Sequence, residues 1–211
     1  MNAPLKCNCG KLRGVAKNMS SVRGHRAICM CDDYQAYAHF LGRAKYVLDK
    51  NGGTDVLPVA PSNLEITQGI ENLKCVRLTG KGMLRWYAGC CNTPIANTAP
   101  FSKVPFAGVV HTIMDFAGDG KTRDNSLGPV GMRVQGKYGI GNLPEGTYQK
   151  TPLNLILHTV RFLIAGWLKG RYKPSPFFNL KTGKPAVEPY ILTASEREDL
   201  RKFCGPKPSN T

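Results

Sequence analysis

Six of the eight cysteines in this 211-residue chain fall into three tight groups: Cys7 with Cys9, Cys29 with Cys31, and Cys90 with Cys91. Grouped thiolates suit zinc, which takes a tetrahedron of sulfur or nitrogen ligands. Two cysteines one residue apart on a tight turn can face one ion, leaving the other corners to a distant segment. Adjacent residues on a regular strand point to opposite faces, so Cys90 and Cys91 can share an ion only where the backbone turns. Gly89 and Pro94 favour such a turn; the alternative is a Cys90 that faces away as a small buried hydrophobe. Cys75 lies in a strand-like run and Cys204 near a terminal helix, so both read as core or incidental residues. His39 and His111 read as hydrogen-bonded structural histidines.

The elements that must position these groups can be read from local pattern. Residues 6–28, punctuated by Gly10, Gly14 and Gly24, predict a hairpin or short meander. Asp32 and Asp33, followed by good helix formers, predict a helix start, which places Cys29 and Cys31 just ahead of exposed helical N–H groups. From Thr54 to Ile95 short apolar runs alternate with turns, as in Leu64–Thr67 and Cys75–Leu78, at strand-like spacing. Arg85-Trp86-Tyr87 fits ordinary strand packing, with a cation–π pocket for an anion as the alternative.

The second half reads differently. Residues 117–150 are glycine-rich with few apolar runs and predict a long surface excursion. Residues 153–169, opened by Pro152 and closed by Gly170, predict an apolar helix interrupted by His158 and Arg161. It is too short to span a bilayer cleanly, so a packed or homodimer-forming helix is expected. Pro174, Pro176, Pro185 and Pro189 predict extended covering chain. A capping box at Ser195 and Glu198 predicts a last helix running to about Phe203.

Composition bounds the function. Lysine and arginine outnumber aspartate and glutamate 29 to 14, a formal charge of +15, which fits an acidic partner or nucleic acid. The two halves carry 14 against 6 and 15 against 8, so this excess is not a basic tail. The N-terminal residues lack the apolar stretch of a signal peptide, so a cytoplasmic protein with reduced thiols is expected, and metal binding suits its cysteines better than disulfides.

Cys7-Asn8-Cys9-Gly10, Cys29-Met30-Cys31 and Cys91-Asn92-Thr93-Pro94 resemble the glutathione-dependent formaldehyde-activating enzyme family, which includes centromere protein V. The resemblance covers roughly the first 100 residues. It implies a twisted β-sheet zinc-binding fold over 1–115; with the elements read above, a mainly β protein with added helices (α+β) is expected, residues 116–211 forming a helical, proline-rich extension packed on the same domain. It further implies a structural zinc on Cys7, Cys9 and Cys91, with the family's fourth ligand falling on Ala88 and Cys90 as the substitute. Cys29 and Cys31 would hold a catalytic zinc, whose third cysteine falls on Tyr34. Carbon–sulfur chemistry on an adduct of an aldehyde with a small thiol such as glutathione is the implied activity. The alternative is a zinc-stabilised binding module without catalysis.

Overall fold

The computed structural model describes residues 1–19, 26–116, 120 and 122–206. Residues 20–25 of the expected hairpin, including Gly24, and residues 117–119 and 121 of the glycine-rich segment lie outside the described residues.

The chain is mainly β with several helices. Strands β1 (Ala3–Lys6) and β2 (Arg13–Ala16) form an antiparallel hairpin, and β2 pairs in turn with β5 (Leu64–Gln68). In β1 the period-two alternation is direct: Ala3 and Leu5 are buried, Pro4 and Lys6 exposed. Gly14 is required where β2 meets β5, because a Cβ there would lie 2.2 Å from the Glu65 carbonyl oxygen.

The larger sheet has eight strands in the order β10-β3-β4-β9-β8-β7-β6-β11. Its centre is β3 (Ala27–Cys29), β4 (Thr54–Val59), β6 (Leu73–Arg77), β7 (Leu84–Ala88), β8 (Thr93–Thr98) and β9 (Ala107–Val110), with every neighbouring pair antiparallel. The edges are β10 (Met132–Val134), parallel to β3, and β11 (Tyr190–Ile191), parallel to β6. The glycine-rich segment therefore supplies a sheet strand and also a short helix, α3 (Arg123–Leu127), capped by the Thr122 side chain.

Alternation along β7 divides the two faces of this sheet. Leu84, Trp86 and Ala88 enter the main core with Leu57, Val59, Ala96, Val109 and Ile113. The proline-rich segment covers that core: Phe177 is buried and stacks on Trp86 with ring centroids 5.0 Å apart. Arg85 projects to the opposite face, towards helix α1 (Asp32–Phe40), where its guanidinium lies over Tyr34 and Tyr37. Helix α2 (Ala44–Val47) follows.

Helix α4 spans Leu153–Leu168, but the expected packing is sparse: Gly166, against Pro105, is its one buried residue. The last helix, α5 (Ala194–Arg201), corrects the expected cap. Its capping box is Thr193 with Glu196, not Ser195 with Glu198. Both pairs fit the motif, but the chain leaves β11 with the Leu192 N–H on the Arg77 carbonyl, so the helix starts at once. Tyr190 then hydrogen-bonds Glu196 and secures that register.

Candidate metal centre

After β1 the chain turns tightly: the Cys7 N–H donates to the Leu12 carbonyl, and the Gly10 N–H returns to the Cys7 carbonyl at 2.8 Å. Gly10 takes φ 76°, a left-handed conformation that glycine adopts without steric cost. This geometry turns Cys7 and Cys9 together, with their sulfurs 3.6 Å apart.

The turn between β7 and β8 brings the other two thiols. The Cys91 N–H donates to the Ala88 carbonyl, and Asn92 sits at φ 55°, a conformation asparagine tolerates better than most residues. Because the backbone turns here, Cys90 and Cys91 need not point apart. Cys90 Sγ lies 3.7 Å from Cys7 Sγ, 3.4 Å from Cys9 Sγ and 3.9 Å from Cys91 Sγ. All four sulfurs fall within 4.8 Å of one another, a group that could hold a metal ion. A tetrahedron with metal–sulfur bonds of about 2.3 Å has sulfur–sulfur edges of about 3.8 Å, close to the four separations of 3.6, 3.7, 3.4 and 3.9 Å. Ala88 is buried in the same core as Cys7 but carries no donor atom.

Surrounding groups shift the thiols in opposite directions. The Leu12 N–H donates to Cys7 Sγ at 3.2 Å, although burial still pushes the Cys7 thiol up. Burial also raises Cys90, helped by the thiols of Cys9 and Cys7. Burial acts on Cys91 too, but the Thr93 hydroxyl, the Cys9 backbone N–H and the thiols of Cys9 and Cys7 outweigh it and bring the thiol down to about 6. Thr93 Oγ1, 3.1 Å from Cys91 Sγ, also accepts the Asn8 N–H at 2.9 Å, tying one pair of cysteines to the other. Arg43 donates to the Cys91 carbonyl at 3.0 Å. Thr93 was legible beside its cysteine; Arg43, 48 residues away, was not.

Cys29 and Cys31 do not join this group. Cys29 ends β3 and Cys31 is the N-cap of α1, as the acidic helix start implied. They pack with Tyr34, Ala38, Val56 and Val110. Among the described residues no third cysteine, histidine or carboxylate completes a ligand set with them. Tyr34 is buried, and its hydroxyl donates a short hydrogen bond to Asn97 Oδ1; burial drives its pKa upward, further from the phenolate a metal would need. Asn97 faces Gly108 across the ladder, and a Cβ on Gly108 would lie 2.6 Å from Asn97 Oδ1. The third position of the motif is thus committed to a hydrogen bond, and a zinc confined to Cys29 and Cys31 does not fit these residues.

What the pair does have is a buried cation. Arg85 pairs with Asp33 at 2.9 Å, and its Nη1 is buried without a hydrogen-bond partner. The Cys31 hydrogen bond, with Arg85 nearby, lowers Cys29, while that same bond and burial raise Cys31. The two shifts are opposed because the thiols share one hydrogen bond.

The remaining candidates are structural. Cys75 is buried in the main core, and Cys204 packs at the end of α5. His39 stacks on Phe203. His111 lines a polar cleft of about 330 Å³ beside β3 and β4, with Arg26, Asp55, Arg123, Asp124 and Arg133.

The pattern of DUF6151, described as a family of unknown function, matches residues 1–189. The chain belongs to the DUF6151 family. No curated protein matches this DUF6151 member. The crystal structure of a Rhodobacter sphaeroides protein aligns at 17% identity over 62% of this chain and 97% of that one, with a TM-score of 0.38.

Proposed function

We propose that this DUF6151 protein holds one structural zinc on Cys7, Cys9, Cys90 and Cys91, and performs carbon–sulfur chemistry at the Cys29–Cys31 pair without a metal there. The observation that carries this reading is the contrast between the two groups. Four thiols lie within 4.8 Å in one place, whereas two thiols stand beside a committed tyrosine and a buried arginine in the other. An all-thiolate tetrahedron suits zinc or iron, and zinc binds such a set with no redox chemistry of its own. When bound, the ion ties the β1–β2 hairpin to the β7–β8 turn.

At the second site, groups with opposed proton affinities make a nucleophile and an acid. Cys29 as thiolate attacks an aldehyde carbon: the carbon–sulfur bond forms, the carbonyl π pair moves to oxygen, and that oxygen takes the proton of the Cys31 thiol. The hemithioacetal reverts by the same path: its hydroxyl proton returns to the Cys31 thiolate, the Cys29–carbon bond breaks, and the freed aldehyde adds to a small thiol such as glutathione, whose S–H proton ends on the new hydroxyl. Arg85 holds positive charge beside the anionic atoms throughout.

The test is NMR exchange between formaldehyde and S-hydroxymethylglutathione, with and without zinc-loaded protein. Acceleration over the spontaneous rate, abolished in Cys29→Ser, is expected. An unchanged rate overturns the formaldehyde–glutathione reading, and iron in place of zinc on metal analysis overturns the assignment of the ion.

A further inference from the structure

Helix α4 presents three faces. At 3.6 residues per turn, Leu155, Thr159, Phe162 and Gly166 fall on the side nearest the protein. Leu153, Ile156, Val160, Ile164, Trp167 and Leu168 line an exposed stripe about 120° wide. Arg161, Asn154 and His158 occupy the third face. The stripe is open: Leu168 is 72% exposed, Leu153 68% and Trp167 58%. It continues into an apolar hollow of about 440 Å³ floored by Val104 and Pro105, with Lys103 at its rim. An apolar surface of this extent on a soluble face marks a contact site.

Charge identifies what it contacts. No aspartate or glutamate occurs between Glu145 and Glu188, while that interval holds seven lysines and arginines. Arg161, Lys169, Arg171 and Lys173 lie on or directly after the helix and are all exposed. Among the described residues, none of the seven takes part in an ion pair. A two-fold dimer through this face would set the segment against its own copy, like charge against like charge. A nucleic acid would leave the apolar stripe in water. An anionic bilayer surface satisfies both features, taking the stripe at the acyl boundary and the basic groups among the headgroups. Sixteen residues rise about 24 Å, short of a hydrocarbon core of about 30 Å, and no helix among the described residues is long and apolar enough to cross a membrane. We propose that α4 lies flat in an anionic lipid surface and docks the protein there. This inference is independent of the thiol chemistry.

The test is flotation of the full, zinc-loaded chain with phosphatidylcholine vesicles that contain or lack phosphatidylserine. Tryptophan emission is recorded in parallel. Trp86 is fully buried, so any blue shift reports Trp167. Binding to the anionic vesicles with a blue shift is expected, weakened about fivefold for each basic residue removed in Lys169→Gln and Lys173→Gln. Binding should be lost in Ile164→Glu and at about 0.5 M salt. If Ile164→Glu fails to fold, the lipid-charge and salt comparisons on the unaltered chain decide alone. Absence of binding to anionic vesicles at low salt overturns the proposal, as does equal binding to neutral vesicles. A dimer that buries Trp167, or DNA capture, with no vesicle binding overturns it as well.

Discussion

Ala88 ends β7 without a donor atom, and the turn at Cys90–Asn92 that follows brings the Cys90 thiol to Cys7 and Cys9. Thr93 then serves both halves of the cluster, through Cys91 Sγ and the Asn8 N–H. Partners of metal ligands typically contribute about 10–100-fold in metal affinity. Thr93→Val should therefore release zinc to a chromophoric chelator at a concentration at least about tenfold lower than the parent chain requires. His111 belongs to this scale too. Burial and the charge of Arg123 lower it to about 4, with Asp55 and Arg26 also facing it and Asp49, Asp124 and Arg133 lining the same cleft. Between pH about 6.5 and 4 the unfolded chain binds the proton and the folded chain does not, so stability falls as pH falls through that window. The loss is on the order of 2 kcal/mol once partial exposure of the ring is allowed for. Urea unfolding of His111→Asn between pH 7 and 4.5 should show a smaller decline than the parent by about that amount; identical declines would contradict it.

The elements show how a local reading succeeds and where it stops. Pro152 and Gly170 bound α4 because a residue without an N–H and one free to take positive φ act on their own neighbours. The cap of α5 slipped by two residues because Thr193 and Ser195 each satisfy the motif, and only the path out of β11 chooses between them. Tyr34 was legible as a missing ligand, but its bond to Asn97 spans 63 residues and leaves no local trace. The covering role of the proline-rich segment was visible, whereas its anchor was not: Phe177 stacks on Trp86 across the core. Phe177→Ala should cost about 3–5 kcal/mol in denaturant unfolding, the usual range for an aromatic ring removed from a packed interior. A loss near zero would mean that the segment merely lies on the surface.

At the scale of the whole molecule, the eight-stranded sheet separates the two groups of thiols. One face carries the large core, which extends to Cys7, Cys90 and Cys91 at the metal centre; the other carries α1 with Arg85, Tyr34 and the neighbouring thiol pair. On the proposed reading the metal is a staple that the chemistry at the thiol pair does not use, and a chain of this size has apolar core enough to fold around it. The most direct test is zinc content per chain in the parent, in Cys9→Ser and in Cys31→Ser, each purified with zinc and dialysed against a weak chelator. One zinc, none and one are the values expected. Two zincs in the parent, one of them lost in Cys31→Ser, would contradict the account and place a metal at the thiol pair.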